Sequence, residues 1–258
     1  MLLCIDIGNT VITLGGYEGK SLGPCWRIRT IHEKTPDEYG ILLDQLFRQR
    51  GYRPRQVTGV ALASVVPPLT PVFEQVCRNY LGHAPLVLDV GVKTGVRIRY
   101  DNPWEVGADR VADAAAVRAL HSLPACVVDF GTATTFDALS AEGDYLGGAI
   151  APGIDIAAQT LFERAAKLPW VELTRPPSAI GRNTVHSMQA GFIFGYVGLV
   201  EGMVARFKAE LGPKTHVIAT GKLAEVIARE TDVIEVVEPW LTLHGLRIIY
   251  ELNRSNHS

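Results

Sequence analysis

The chain repeats itself. Cys4-Ile5-Asp6-Ile7-Gly8-Asn9-Thr10 and Val127-Val128-Asp129-Phe130-Gly131-Thr132-Ala133 each carry an apolar run, an Asp-x-Gly and a threonine-bearing turn. The copies lie 123 residues apart, close to half of the 258-residue chain. In each, an apolar run stops at the glycine and another starts soon after, the pattern of a strand, a tight turn and a returning strand. Two copies in matching contexts point to a duplicated domain with a cleft between the halves. The expected domains are 1–112 and 113–258.

Around the repeats, strand and helix patterns alternate. Thr35-Pro36-Asp37-Glu38 has the capping-box form, and Tyr39, Leu42, Leu43, Leu46 and Phe47 follow at helical spacing until Gly51. Residues 57–66 read as a strand stopped by Pro67-Pro68, 71–81 as a helix ended by Gly82, and 86–90 as a further strand. A loop at 102–107 leads to an alanine-rich helix over 108–121. Its Ala108, Ala112, Ala115 and Ala119 form a small-residue stripe suited to close helix packing. Residues 125–129 read as a strand, 131–135 as a turn and 136–139 as a strand. Ala151-Pro152-Gly153 opens a helix. Asn183 or Thr184 caps a long helix to 211, on which Gly195, Gly198 and Gly202 suggest close packing. A strand at 217–219, a short helix from 222, a strand at 233–237 and a last helix over 241–253 complete an α/β pattern.

Charge narrows the partners. Twenty-five Lys and Arg against 27 Asp and Glu leave a formal charge of −2, with no general pull toward nucleic acid or anionic lipid. The four cysteines form no CxxC pair, so neither a thiolate metal site nor a disulfide scaffold is expected. The opening MLLCIDIGNT has no basic segment and is interrupted by Asp6, unlike a signal peptide. The apolar stretch 190–200 is short for a membrane span and is followed by Glu201. The expectation is a soluble cytoplasmic protein with neither membrane nor nucleic-acid partner. GxxxxGK[ST], GxGxxG, HExxH and GxSxG are all missing, which removes the P-loop, dinucleotide, zincin and nucleophile-elbow readings.

What remains is phosphate chemistry. Gly8 allows close backbone approach, and the turn N–H groups, with Asn9 and Thr10, can donate to phosphate oxygens. Asp6 can hold a hydrated Mg²⁺, which keeps several waters and takes only one or two carboxylates. Asp129 to Thr135 offers the same chemistry a second time. Paired phosphate-handling hairpins imply a nucleoside triphosphate between domains; the plainer reading is two structural turns with capping aspartates. Gly107-Ala108-Asp109-Arg110 opens the alanine-rich helix, whose N-terminus carries a partial positive charge. An ionised Asp109 there can take a proton from a hydroxyl, and Arg110 can bind a carboxylate or developing phosphoryl charge. The plainer reading is a first-turn aspartate beside a surface arginine.

The ordered set Asp6-Ile7-Gly8-Asn9-Thr10, Ser64-Val65-Val66-Pro67, Tyr100, Gly107-Ala108-Asp109-Arg110, Asp129-Phe130-Gly131-Thr132-Ala133-Thr134-Thr135, 147–153 and Gly181-Arg182-Asn183-Thr184 resembles the type III pantothenate kinases. The resemblance implies two ribonuclease-H-like domains of the actin-like ATPase superfamily with an interdomain nucleotide cleft. It implies ATP-dependent phosphorylation of pantothenate to 4′-phosphopantothenate, the first step of coenzyme A synthesis. Asp6, Ile7, Gly8, Asn9, Thr10, Val11, Ile12 and Thr13 match the family's ATP-binding segment, and Thr132 a second ATP contact. Tyr100 with Gly107, Ala108, Asp109 and Arg110 matches the pantothenate site, with Asp109 as proton acceptor. Asp129 matches the ligand of a required K⁺ or NH₄⁺. Thr184 matches a substrate contact given across a homodimer interface. Gly221 falls where the superfamily places an adenine or ribose contact. The rival readings are another small-molecule kinase of the superfamily, or an ATP-binding regulatory protein without turnover.

Overall fold

A computed structural model describes residues 1–254. The first sheet is built from β1 (Leu2–Ile7), β2 (Val11–Glu18) and β3 (Ser21–Arg29), with β4 (Gly59–Ser64) and β5 (Leu86–Val87) following α1 (Pro36–Gln49) and α2 (Leu69–Val76) respectively. Its order is β3-β2-β1-β4-β5; β1 is antiparallel to β2 and parallel to β4. Leu3, Ile5, Ile7, Ile12 and Leu14 meet Tyr39, Leu43 and Phe47 of α1 and Leu69 and Phe73 of α2 in one core. The capping box forms as read: the Glu38 N–H donates to Thr35 Oγ1 at 3.3 Å and the Thr35 N–H to Glu38 Oε2 at 2.8 Å. α2 starts earlier than its spacing predicts and runs into a π-helical turn, Cys77–Leu81, stopped by Gly82 at φ 73°. Then comes α3 (Ala108–Leu120).

The second sheet is built from β6 (Ala125–Phe130), β7 (Ala133–Leu139) and β8 (Tyr145–Pro152), then α4 (Ile154–Arg164), α5 (Thr184–Leu211), β9 (His216–Gly221), α6 (Ala224–Ala228) and β10 (Val236–Val237). Its order, β8-β7-β6-β9-β10, matches the first sheet strand for strand, with the same antiparallel and parallel pairs. Cys126, Val128, Phe130 and Phe136 face a core shared with α4, α5 and α6. The strands' other residues, Asp129, Thr135 and Asp137 among them, therefore occupy the opposite face.

The last helix, α7 (Leu241–Arg254), returns to the first unit. The two compact units are Met1–Arg97 with Asp101–Leu120 and the chain from Leu241, and Ile98–Tyr100 with His121–Trp240. The boundary expected at 112/113 falls inside α3. The physical reason is a helix pair: a Cβ at Gly245 of α7 would collide with the backbone of Ala112, so the alanine face of α3 is spent on α7. Other expectations change as well. β3 and β8 were not anticipated, and β7 starts at Ala133, which shortens the turn expected at 131–135. The stretch 190–200 belongs to a 28-residue helix long and apolar enough to cross a bilayer by length and composition. Its Met188, Phe192, Val197, Val200 and Val204 instead fill the second core. Finally, no atom lies within 4 Å of a Cβ built at Gly195 or Gly198, so inside this chain those glycines permit no close approach.

Candidate active site

In the first unit, β1–β2 pairing sets Asp6 opposite Thr13 and Ile7 opposite Ile12. The Gly8 N–H closes the turn on the Val11 carbonyl at 3.1 Å, and a Cβ on Gly8 would stand 2.9 Å from that oxygen. Thr30 pins the turn from outside, its hydroxyl donating to the Gly8 carbonyl at 2.6 Å and its N–H to the Thr10 carbonyl at 3.0 Å. Asn9, Thr10 and Val11 are exposed, while Asp6, Gly8 and Thr13 are half-buried. Ile7 and Ile12 are fully buried, so only their backbones are available to a ligand.

A second segment meets this hairpin. The Val65 N–H donates to the Ile7 carbonyl at 3.1 Å, fastening the loop after β4 to the end of β1. The Val65 side chain also borders Gly107, where a Cβ would lie 3.3 Å from Val65 Cγ1 and 2.5 Å from Asp109 Oδ1. Glycine at 107 thus leaves the space in which the Asp109 carboxylate sits. Asp6, the penultimate residue of β1, and Asp109, whose helix start borders the loop after β4, lie toward the carboxyl ends of the parallel strands β1 and β4, where open α/β sheets bind ligands. Asp109 Oδ1 accepts the Arg110 N–H at 2.8 Å. Burial pushes the Asp109 carboxyl above its ordinary range, opposed by that hydrogen bond and by the Arg110 charge. A carboxylate raised this way is a better proton acceptor near neutrality.

The second hairpin repeats the first with a shorter turn. Asp129 stands opposite Thr135, and the Gly131 N–H closes on the Ala133 carbonyl at 3.0 Å. On its other side Asp129 pairs with Thr220 of β9. Gly221, at φ 92°, completes a cradle: a Cβ there would lie 2.6 Å from Asp129 Oδ1, and one on Gly131 would lie 3.3 Å from Asp129 Oδ2. Gly221, expected at a base or ribose, thus also shapes the Asp129 cradle, which it reaches through β6–β9 pairing that no local motif signals. Gly153, read as part of a helix start, also closes on the second hairpin: a Cβ there would lie 2.6 Å from the Gly131 carbonyl. Thr132 is half-buried, and Thr184 is exposed at the first turn of α5, capped by Asn183. The candidates therefore divide by unit. Asp6 to Thr13 and Gly107, Ala108, Asp109 and Arg110 belong to the first, and Tyr100, Asp129, Thr132 and Thr184 to the second.

Among the described residues, no three or more His, Cys, Asp or Glu converge as a metal cage. The half-buried Asp6 carboxylate at the hairpin is the kind of ligand a hydrated magnesium ion takes, since that ion keeps several waters and needs only one or two carboxylates. Glycines at 131 and 221 leave the space in which the Asp129 carboxylate sits, and a carboxylate suits a cation that takes oxygen ligands.

Matching five-stranded units with paired Asp-x-Gly hairpins are the build of the actin-like ATPase superfamily and its kinases. Solved structures agree at the level of fold. A chain described as a Baf family transcriptional activator from Campylobacter jejuni superposes with TM-score 0.63 at 18% identity, over 98% of this chain and 99% of that one. The inorganic polyphosphate/ATP-glucomannokinase of an Arthrobacter species superposes with TM-score 0.51 at 16% identity, over 98% of each. The sequence is more specific. The model of the type III pantothenate kinase family matches residues 2–206. The type III pantothenate kinase of Moorella thermoacetica is 56% identical over 253 residues, 98% of this chain and 100% of the relative. That of Myxococcus xanthus is 54% identical over 256 residues, 99% and 100%. The chain belongs to the type III pantothenate kinase family.

Proposed function

We propose that this chain transfers the γ-phosphoryl group of ATP to the primary hydroxyl of pantothenate, giving 4′-phosphopantothenate and ADP, the first step of coenzyme A synthesis. The observation that carries the reading is Asp109: a carboxylate of raised pKa, at the sheet end that also presents the Asp6 hairpin. The hairpin receives phosphates through the N–H groups of 8–11 and the side chains of Asn9, Thr10 and Thr13, with Thr132 as a second contact. Asp109 orients the hydroxyl and takes its proton as the oxygen bonds to the γ-phosphorus and the bond to the β-phosphate oxygen breaks. A positioned base of this kind contributes about 10²–10⁴-fold. Phosphoryl transfer otherwise needs placement and charge neutralisation. Arg110 and the N-terminus of α3 supply fixed positive charge for an anion. Asp6 would hold Mg²⁺, through water, and Asp129 would hold K⁺ or NH₄⁺; together such ions offset phosphate charge that no P-loop lysine meets here.

Tyr100 and Thr184 are assigned to pantothenate, Thr184 being donated by the partner of a homodimer. The solvent-facing glycines of α5 support that assembly. Gly191, Gly195 and Gly198 recur on one helix face, and no atom of their own chain lies within 4 Å of a Cβ at any of them. Such a face admits a second helix at close range. Small, water-soluble substrates, together with a net charge of −2, suit a cytoplasmic enzyme with no membrane or nucleic-acid partner.

The test is direct phosphorylation with labelled ATP, offering pantothenate, glucose and acetate. Pantothenate alone should be phosphorylated. Transfer to glucose or acetate instead would assign another superfamily kinase, and ATP binding without transfer would assign a regulatory protein.

A further inference from the structure

Ile98–Tyr100 belongs to the second unit, although the residues on either side of it belong to the first. This strap lies on the edge strand β8. Ile98 makes a parallel bridge to Tyr145, and the Arg99 N–H donates to the Tyr145 carbonyl at 2.8 Å. Arg99 Nε reaches Asp144 Oδ2 at 2.8 Å. Tyr100 then settles beside Tyr145, ring centroids 6.4 Å apart and planes inclined by 53°. Its ring runs so close to β8 that a Cβ at Gly147 would stand 3.3 Å from Tyr100 Cε2, and Gly147 itself has φ 128°. Any side chain at 147 would be strained and would crowd the tyrosine.

Beneath the strap is a buried polar row. Tyr145 is fully buried, and its hydroxyl donates to Asp137 Oδ1 at 2.8 Å. Thr135 Oγ1 donates to Asp137 Oδ2 at 3.2 Å. Asp137 is 1% exposed, and Thr135 stands opposite Asp129. One sheet face thus carries Asp129, Thr135, Asp137 and Tyr145 in sequence, with Tyr100 laid against its end. Burying a carboxylate is costly unless its hydrogen bonds are made, and a satisfied network of this kind fixes a unique geometry. The phosphoryl-transfer reading uses neither Asp137 nor Tyr145.

We propose that Asp137 with Tyr145, and the Arg99–Asp144 clip, are positioning residues for the kinase: they hold Tyr100 on β8 in the one orientation in which it meets pantothenate. Asp137 anchors the Tyr145 hydroxyl, which sets the ring against which Tyr100 leans. The clip keeps the strap from lifting off the strand. Through Thr135 the same carboxylate is tied to the position facing Asp129, so the substrate residue and the cation carboxylate share one rigid frame.

The inference rests on Tyr100 contacting pantothenate, and the experiment separates the two. In the full chain, kcat and both KM values are measured for Tyr100→Ala, Tyr145→Phe, Arg99→Gln and the doubles with Tyr100→Ala. Tyr100→Ala should raise the KM for pantothenate by about tenfold, and Tyr145→Phe and Arg99→Gln by about three- to tenfold, all leaving the KM for ATP unchanged. In the Tyr100→Ala background the other two should add no further factor, because they act through Tyr100. A tenfold effect of Tyr100→Ala with none from Tyr145→Phe or Arg99→Gln, or effects that multiply in full in the doubles, overturns the positioning role. An unchanged KM in Tyr100→Ala overturns the substrate contact itself. Arg99 is a surface residue, so its variant decides the matter even if Tyr145→Phe does not fold.

Discussion

At the residue scale the account turns on Asp109 and the glycine before it. Asp109→Asn keeps shape and loses the proton acceptor, so turnover should fall by about 10²–10⁴-fold while nucleotide binding, read by calorimetry, persists. Burial raises the Asp109 carboxyl, which has two consequences of opposite sign. Activity requires the ionised form, so the acid limb of the kcat/KM profile should lie above the ordinary carboxylate range and disappear in Asp109→Asn. Stability moves the other way. A carboxyl whose folded pKa exceeds its unfolded pKa contributes stability below the unfolded value and loses it as pH rises through the folded one. The asparagine variant should therefore melt no lower than the parent at neutral pH. Asp109 stands out in sequence at a glycine-led helix start, which also admits a plain first-turn aspartate, and only the family resemblance narrows it to a proton acceptor. The cradle around Asp129 does not stand out, because Gly221 reaches it through the parallel pairing of β6 with β9, some 90 residues on.

At the scale of elements, the hairpins and helices carry local signatures: Asp-x-Gly between apolar runs, a capping box, alanines at helical spacing. β3 and β8 carry none. Both are edge strands, where ladder hydrogen bonds are needed on one side only, and they tolerate Gly23-Pro24 and Gly147-Gly148, which read as breakers. The membership of α7 is equally hidden, since it rests on packing against β1, β2, β4 and α3, all over 100 residues earlier, including the close approach of Gly245 to Ala112. That contact makes a prediction. Gly245→Val drives a branched side chain into the Ala112 backbone, and overpacking of this kind costs about 1–3 kcal/mol or more. Denaturant unfolding should show the loss.

At the scale of the whole molecule, duplication explains why two aspartates in matching registers, Asp6 opposite Thr13 and Asp129 opposite Thr135, can take different work. In the proposed reaction Asp6 would meet phosphate with magnesium, and Asp129, in its glycine cradle, would serve a monovalent ion. Turnover should accordingly be low in sodium-only buffer and recover in potassium or ammonium. Asp129→Asn should flatten that dependence, and equal rates in all three salts would remove the role. The most direct measurement is a crystal structure of the chain with a non-hydrolysable ATP analogue and pantothenate. The account predicts the pantothenate hydroxyl about 2.6–3.2 Å from an Asp109 carboxylate oxygen, and about 3–3.5 Å from the terminal phosphorus. A ternary complex with that hydroxyl turned away from Asp109, or with the triphosphate off the Asp6 hairpin, would contradict it.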